Sequence, residues 1–381
     1  MTALERLLAR SRFGMKPGLD TIREICARLG DPQLRLGKVV HVAGTNGKGQ
    51  TCAFLDHALR AAGFKVARYT SPHLVKVNER IFLDGRMVDD ETLERAAEKV
   101  ERVLGTMEAT YFEALTATAF LAMADFSPDY TILETGLGGR LDATNICRPV
   151  LTLITKVGLD HCEWLGDTVE AIAREKAGIR KPGVPLVLGP NDEAVRRTVR
   201  ADVELESDGD LVEQNRALAR KALELLGVKD RLPDGFELDQ AVWPGRLQQI
   251  GRFLVDGAHN PPGARALADW LGRHRPGVKF SLVFGACGDK NVEAVLDILK
   301  PAVERAYAVK IRNPRSLEAD ALAAKMRIVG MAAETWQTEK LAEVTGEVLV
   351  CGSLFLVGEA LQVLDAYPWG ATRNDPWEAL K

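Results

Sequence analysis

The chain has 381 residues, which exceeds the size at which a single hydrophobic core usually stops growing, so two domains are expected. Hydrophobic residues make up 46% of the chain and charged residues 27%, the ordinary balance of a globular protein. The formal net charge of -3 provides no overall field that would recruit nucleic acid or an anionic membrane.

The N-terminal stretch and the cysteine pattern predict a protein of the reducing cytoplasm. The opening residues MTALERLLARSRFG mix Glu and Arg into the apolar positions and contain no small-residue cleavage site, so no signal peptide is expected. No apolar run approaches the roughly 18 residues typical of a membrane-spanning helix. The six cysteines are scattered without a CxxC pair, which favours reduced thiols over a disulfide framework or a zinc site.

Short apolar runs alternate with helical patterns along the chain. Because the runs do not alternate polar and apolar residues, they are typical of strands that helices bury on both faces. This order predicts an α/β protein with parallel, doubly wound sheets. The segment at 112–126 is apolar nearly all round and predicts a buried helix. The predicted strands are VVHVAG (39–44), KVARYT (65–70), YTILETG (130–136), LTLITKVG (151–158), VPLVLG (184–189), FLVDGA (253–258), FSLVFGA (280–286), RAYAVKI (305–311) and EVLVCG (347–352).

A polar stretch with little periodicity, at 229–240, separates two α/β series. A fresh strand–loop–helix series begins after AVWPGRLQQ at 241–249. We therefore expect one domain over residues 1–244 and a second over residues 245–381.

The glycine-rich turn in VVHVAGTNGKGQTC predicts a phosphate-binding loop. Gly44, Gly47 and Gly49 lie where a predicted strand turns into a predicted helix. Backbone N–H groups at such a turn, together with the positive end of the helix dipole, bind anions, and Lys48 can reach nucleotide phosphates. The alternative is a glycine-rich turn with a solvated lysine.

The loop departs from the common pattern GxxxxGK[ST] at two positions. Val42 stands where the first glycine would be, and Gly49 occupies the position of the metal-binding hydroxyl residue. The following segment QTCAFLDHALRAAG nevertheless supplies the helix that such a loop requires.

Three further side chains lie at or after the ends of predicted strands. Ser71 follows KVARYT, Glu134 ends YTILE, and His161 follows LTLITKVG. Because the carboxyl ends of parallel strands face one crevice, these groups point to metal-assisted phosphoryl chemistry. Alternatively, Ser71 before Pro is a turn or capping residue and His161 a structural histidine, whereas a carboxylate buried in a strand is costly unless it is paired.

Several long motifs resemble the folylpolyglutamate and dihydrofolate synthases, a branch of the Mur ligases. The resemblance runs in the family's order from FGMKPGL at 13–19 to the last predicted helix. The motifs are GTNGKG (44–49), TSPHLVKVNERI (70–81), LETGLGGRLDATN (133–145), LDHCEWLGDTVEAIAREKAGIRKPG (159–183), WPGRL (243–247), DGAHNPPG (256–263), VFGACGDKN (283–291) and GSLFLVGEAL (352–361).

The resemblance implies an N-terminal P-loop ATPase domain of the Mur-ligase type with a parallel sheet, and a smaller C-terminal Rossmann-like α/β domain. It implies Mg2+ ligands at Ser71, Glu134 and His161, and a lysine at Lys176 that is often carbamylated in the family. Without the resemblance, Lys176 is a solvated helix charge or half of a salt bridge with Glu175. The residues implied to bind ATP in the loop are Gly44, Thr45, Asn46, Gly47, Lys48, Gly49, Gln50 and Thr51, with Gln50 replacing the family's usual serine.

In the second half, the resemblance implies that Arg246 reaches the phosphates, an apt role for a permanently charged fork. Asp256 and His259 are implied to contact the nucleotide or the incoming glutamate. Asn215 is the candidate adenine contact, although the usual Gln before it is replaced by Val212, and a helix N-terminal asparagine is an equal interpretation. The implied catalytic set is Lys48, His161, Lys176 and Arg246.

The implied activity is ATP-dependent addition of L-glutamate to a folate, and also to dihydropteroate in a bifunctional enzyme, through an acyl phosphate. The alternatives are a Mur-type ligase acting on a peptidoglycan precursor and a P-loop ATPase that makes no bond. Expected partners are these small molecules, ATP and Mg2+, with no nucleic acid or membrane, and a monomeric chain. The segments at 13–19 and 71–80 are candidates for the pterin pocket.

Overall fold

The computed structural model describes residues 1–9, 18–288 and 291–369, which form two compact units. Residues up to His73 and from Val77 to Val242 cluster into the first unit, and Leu74–Lys76 cluster with the residues from Trp243 onward into the second. Most of the candidate pterin segment at 13–19 lies outside the described residues.

The first unit is built on an eight-stranded sheet in the order β4-β3-β2-β5-β1-β6-β7-β8. Its strands are β1 (Lys38–Ala43), β2 (Val66–Tyr69), β3 (Ile81–Leu83), β4 (Arg86–Met87), β5 (Tyr130–Glu134), β6 (Pro149–Ile154), β7 (Leu186–Leu188) and β8 (Val203–Glu204). Its helices are α1 (Ala3–Leu8), α2 (Asp20–Arg28), α3 (Lys48–Ala61), α4 (Asp90–Leu104), α5 (Tyr111–Phe126), α6 (Cys162–Leu165), α7 (Val169–Ala177), α8 (Glu193–Val199) and α9 (Leu211–Leu225).

Six of the eight strands run parallel, and β3 and β4 form an antiparallel extension at one edge. Helices cover both faces of this sheet. Successive side chains of a strand point to opposite faces, so each strand contributes to both layers of packing. Along β1, Val39 packs into the cluster that includes α2, α4 and α5, whereas Val40 and Val42 pack into the cluster that includes α3 and α9. This central strand is therefore buried on both sides, and it ends at the glycine-rich turn.

The second unit has a six-stranded sheet in the order β13-β12-β11-β14-β10-β9, in which β9 alone is antiparallel to its neighbour. Its strands are β9 (Gln248–Ile250), β10 (Phe253–Val255), β11 (Phe280–Phe284), β12 (Val303–Val309), β13 (Ala333–Trp336) and β14 (Val348–Cys351). Its helices are α10 (Pro261–His274), α11 (Val292–Leu299), α12 (Ala319–Ile328) and α13 (Leu354–Val363).

The α/β prediction is confirmed, because each of the nine predicted runs overlaps a strand. The apolar segment at 112–126 lies in α5, whose side chains are buried over most of its length. The sheets are not purely parallel, since the short strands β3, β4 and β9 pair antiparallel. Among the helices of the described residues, none has the length and apolarity to span a membrane.

Candidate active site

The turn between β1 and α3 has a backbone that only glycine can adopt without strain. Gly44 has φ +150° and Gly47, the N-cap of α3, has φ +93°. A Cβ atom on Gly44 would lie 1.8 Å from the hydroxyl oxygen of Thr155, which itself donates to the Asn46 carbonyl at 2.8 Å. The turn is therefore packed tightly against Thr155. It leads into the N-terminus of α3, and helix N-termini favour anions.

The same turn is tied to the segment that follows β6. The amides of Thr45 and Asn46 donate to the Lys156 carbonyl at 2.8 and 3.2 Å. The Thr45 hydroxyl donates to the Gly158 carbonyl at 3.0 Å and lies 3.1 Å from the Gly158 amide nitrogen. The loop that carries His161 is thus anchored to the phosphate turn through its first residues.

Two lysines converge on one carbonyl of the turn. The Lys48 ammonium donates to the carbonyls of Gly44 and Thr45 at 3.1 and 3.3 Å, and the Lys176 ammonium donates to the Gly44 carbonyl at 2.8 Å. Lys176 is only 4% exposed. Burial, with a smaller contribution from the charge of Lys48, lowers the pKa of Lys176 to about 7. A large share of Lys176 is therefore neutral near physiological pH.

This placement shows that the alternative interpretations of Lys176 are wrong. The side chain is not solvated, and Glu175 forms its ion pair with Arg140, at 2.9 Å, instead of with Lys176. The helix pattern alone did not reveal this, because the contact that buries Lys176 joins positions 132 residues apart.

Glu134 and Ser71 meet beside Lys48. The Glu134 carboxylate, 3% exposed, accepts the Ser71 amide at 2.9 Å and lies 3.9 Å from the Lys48 ammonium. The buried hydroxyls of Thr51 and Thr135 have no hydrogen-bond partner among the described residues. Buried hydroxyls are rarely left unpaired, so two of them in the residues that follow β1 and β5 fit a polar ligand bound there.

The third predicted metal ligand stands apart in its environment. His161 has φ +52° and a side chain that is 44% exposed, with its Nε2 atom 3.8 Å from a carboxylate oxygen of Asp160. In residues 1–9, 18–288 and 291–369, no group of three or more His, Cys, Asp or Glu side chains is arranged to hold a metal ion. Ser71 and Glu134 thus lie together beside Lys48, and the binding of Mg2+ by Ser71, Glu134 and His161 stays a prediction.

Asn215 lies against the phosphate turn. The side-chain nitrogen of Asn215 donates to the side-chain oxygen of Gln50 at 2.8 Å. A Cβ atom on Gly47 would lie 2.2 Å from the side-chain oxygen of Asn215. Asn215 is the fifth residue of α9 and does not cap it, because Asp210 is the N-cap. Its contact with adenine stays a prediction. The Gln50 that replaces the family's serine thus has a specific partner on α9.

Sequence reasoning missed the role of Asp142 in the glycine-rich loop after Glu134. The Asp142 carboxylate accepts the amides of Gly136 and Leu137, both at 2.8 Å. A Cβ on Gly139 would lie 2.8 Å from the carbonyl oxygen of Lys176. The loop therefore connects the Glu134 strand to the end of α7, and the only signal in the sequence was an Asp followed two residues later by Thr, a pattern common in local turns.

In the second unit, Asp256 organises the turn after β10. Its carboxylate accepts the amides of Leu247 and Ala258 at 2.9 and 2.8 Å. Burial raises the pKa of Asp256, and the nearby Arg246 opposes that shift. The Arg246 guanidinium packs on Gly257, and the His259 ring nitrogen Nδ1 lies 2.8 Å from the Gly257 carbonyl. The structure thus brings Arg246, Asp256 and His259 together at one end of the antiparallel β9–β10 pair.

Comparison with known proteins gives first the class to which this fold and site belong. The model of the Mur ligase middle domain matches residues 42–204, and the model of the Mur ligase glutamate ligase domain matches residues 245–354. The phosphate turn lies within the first match and the Arg246–His259 turn within the second. The chain is thus built as an ATP-dependent ligase of the Mur type.

Individual relatives narrow the class to one family. The chain is 33% identical over 364 residues to the dihydrofolate synthase/folylpolyglutamate synthase of Bacillus subtilis, covering 81% of this chain and 84% of that protein. A structure of Escherichia coli FolC in complex with DHPP and ADP matches with a TM-score of 0.84 and 30% identity over 96% of this chain and 98% of that one. A bifunctional folylpolyglutamate synthase/dihydrofolate synthase of Yersinia pestis, complexed with AMPPNP and Mn, matches with a TM-score of 0.81 and 28% identity over the same shares. The chain belongs to the dihydrofolate synthase/folylpolyglutamate synthase family.

Proposed function

We propose that this protein joins L-glutamate to a folate, and also to dihydropteroate, with ATP as the energy source. The observation that carries the proposal is the glycine-rich turn at the N-terminus of α3, where the Lys48 ammonium donates to the Gly44 carbonyl and lies 3.9 Å from the Glu134 carboxylate. This is an arrangement suited to a polyanion and a divalent cation together. The choice of folate and dihydropteroate as acceptors, and of L-glutamate as the amino acid, is based on membership of the family.

ATP binding is assigned to the phosphate turn, residues 44–51. The amides at the start of α3 and the Lys48 ammonium donate to phosphate oxygens, and the unpaired Thr51 hydroxyl donates beside them. Asn215, held by Gln50, is assigned to the adenine. Ser71, Glu134 and His161 would hold Mg2+, which when bound offsets the negative charge of the phosphates.

The reaction follows from the need to activate a carboxylate before it can meet an amine. An oxygen of the substrate carboxylate attacks the γ-phosphorus of ATP in line, the bond to ADP breaks, and an acyl phosphate forms. The amine of glutamate then attacks the acyl carbon, loses a proton, and expels inorganic phosphate. Lys48 and Arg246 stabilise the charge that develops on the phosphoryl oxygens, and positioning supplies most of the rest.

The turn of the second unit is assigned to the later step. We assign Asp256 and His259 to the orientation of glutamate or the nucleotide, and Asp256 also fixes the backbone at Leu247 next to Arg246. Lys176, whose amine is partly neutral, is assigned to carbamylation, which would convert it from a cation to an anion. The protein is proposed to act as a monomer in the cytoplasm.

The test is incorporation of labelled glutamate with ATP and Mg2+, offering dihydropteroate and tetrahydrofolate in separate reactions. The proposal predicts product with both acceptors, and little phosphate release until an acceptor and glutamate are both present. Lys48→Ala should abolish incorporation, whereas Lys279→Ala, which changes an exposed lysine on the second unit, should not. Product with tetrahydrofolate alone would restrict the protein to polyglutamylation, and phosphate release without either substrate would contradict the ligase assignment.

A further inference from the structure

A chain of buried hydrogen bonds joins β1 to the loop that follows Glu134. The Cys147 sulfur lies 3.7 Å from His41 Nδ1, and His41 Nε2 lies 2.8 Å from the Thr144 hydroxyl. That hydroxyl lies 2.5 Å from a carboxylate oxygen of Asp142, which also accepts the Thr144 amide at 3.0 Å. The side chains of His41 and Thr144 are fully buried, and those of Asp142 and Cys147 nearly so.

The direction of these bonds follows from the acceptor at the end of the chain. The Asp142 carboxylate receives three backbone amides, those of Gly136, Leu137 and Thr144, and an amide can only donate. Three such donors favour the ionised carboxylate, so the Thr144 hydroxyl donates to it as well. The Thr144 hydroxyl oxygen then accepts a hydrogen bond from His41 Nε2–H, and His41 Nδ1 accepts a weak hydrogen bond from the Cys147 thiol.

The ionisation states of these groups agree with that direction. Burial, with a smaller contribution from Lys181, lowers the pKa of His41 to about 3, so its ring is neutral and carries one proton. Burial raises the pKa of Cys147 to about 12, so its thiol stays protonated and can donate a hydrogen bond. Burial also raises the pKa of Asp142, and its hydrogen bonds oppose that shift.

The chain ends at the elements that carry the nucleotide site. Asp142 fixes the amides of residues 136 and 137, two and three positions after Glu134. The Arg140 amide in the same loop donates to the Glu175 carbonyl at 2.8 Å, next to Lys176. His41 itself lies on β1, three residues before Gly44, and pairs with Leu133 on β5.

We propose that His41 and Thr144 are positioning residues that act through the Asp142 carboxylate to hold the 136–140 loop, and with it Glu134 and Lys176, in the geometry that binds nucleotide and metal. This inference rests on the proposed function for the ligand. The bonds run from the thiol through the imidazole and the hydroxyl to the carboxylate, with every group in one fixed protonation state.

The first test uses the native protein and needs no activity. Long-range 15N–1H spectra of the histidine-labelled chain should show His41 as the Nε2–H tautomer at pH 6, 7, 8 and 9, without titration. The signal is assigned with His41→Gln, since the chain has six histidines. A His41 that carries its proton on Nδ1, or that titrates in this range, would overturn the proposed direction of the chain.

The second test compares variants that each delete one buried hydroxyl. Thr144→Val should weaken the affinity for AMPPNP with Mg2+ by about tenfold, the lower end of what a hydrogen bond to a charged group is usually worth. Thr144→Ser keeps the hydroxyl and should restore the affinity. The matched control is Thr131→Val on β5, where the fully buried hydroxyl donates to the Leu36 carbonyl at 2.7 Å, away from this chain of bonds.

If the two valine variants lose the same stability and bind AMPPNP equally well, the positioning role is refuted. If Thr144→Val does not fold, His41→Leu carries the comparison, because it removes the donor to the Thr144 hydroxyl. It should weaken the affinity for AMPPNP severalfold, whereas Thr144→Ser should bind as the native protein does, and native affinity in His41→Leu would refute the positioning role. A native protein that shows the predicted tautomer and binding differences but incorporates no glutamate would refute the proposed reaction and leave this inference standing.

Discussion

The buried lysine beside the phosphate turn leads to a quantitative prediction about stability and pH. Burial and Lys48 lower the pKa of unmodified Lys176 from 10.5 to about 7 in the folded chain. Between these two values the unfolded chain holds a proton that the folded chain lacks, so stability rises with pH. Below the folded pKa both states are protonated, so the gain in stability is absent. Above pH 10.5 both states are neutral, and the gain in stability is complete.

The expected slope is about 1.4 kcal/mol per pH unit once the pH is well above the folded value. Between pH 7 and pH 9 the gain is therefore about 2 to 2.5 kcal/mol, because the titration is only half complete at pH 7. Lys176→Met removes this titration and keeps a side chain of similar length. The free energy of unfolding of the native protein minus that of the variant isolates the contribution of Lys176.

The measurement is urea unfolding of both proteins at pH 7, 8 and 9 in bicarbonate-free buffer. The difference in unfolding free energy should rise with pH in favour of the native lysine. A parallel sample with 13C-bicarbonate should show a carbamate signal in the native protein that is missing from Lys176→Met. A difference that stays flat between pH 7 and pH 9 without bicarbonate would refute the account of Lys176 as a buried amine of lowered pKa.

Two further predictions concern the phosphate turn and the thiols. Gly44→Ala should abolish ADP binding, measured by calorimetry, because its Cβ would lie 1.8 Å from the Thr155 hydroxyl oxygen, whereas Gly272→Ala on α10, with nothing within 4 Å, should bind as the native protein does. Normal binding by Gly44→Ala would show that the turn is not held as described. Of the six free cysteines only Cys162 is exposed, so a thiol reagent such as DTNB should modify one group per native chain and all six after unfolding. Rapid modification of several thiols in the native state would contradict the burial of the others.

The main strands were predictable because each of them is a run of consecutive apolar residues. β1, β5, β6, β11 and β14 are apolar runs covered on both faces, and the sequence shows each of them without reference to the rest of the chain. Five short strands were missed, because they contain polar or partly exposed residues and are defined mainly by pairing with a neighbour. They are β3, β4, β8, β9 and β13.

The site was predictable where a local motif carries the chemistry. The glycine turn and Lys48 follow from the spacing of a strand, three glycines and a helix, and Glu134 follows from a carboxylate in an apolar strand. Long-range contacts were not predictable in this way. The burial of Lys176 depends on Gly44, and the part played by His41 depends on Thr144, 103 positions further along the chain.

In the proposed reaction, the terminal phosphoryl group of ATP is transferred to the substrate carboxylate before glutamate reacts. The most direct test is a single-turnover reaction with an acceptor whose reacting carboxylate is labelled with 18O, followed by mass spectrometry of the released phosphate. Because the carboxylate oxygen that attacks phosphorus leaves with it, we expect one 18O atom in the inorganic phosphate and ADP as the other product. Unlabelled phosphate, or release of AMP and pyrophosphate, would contradict it.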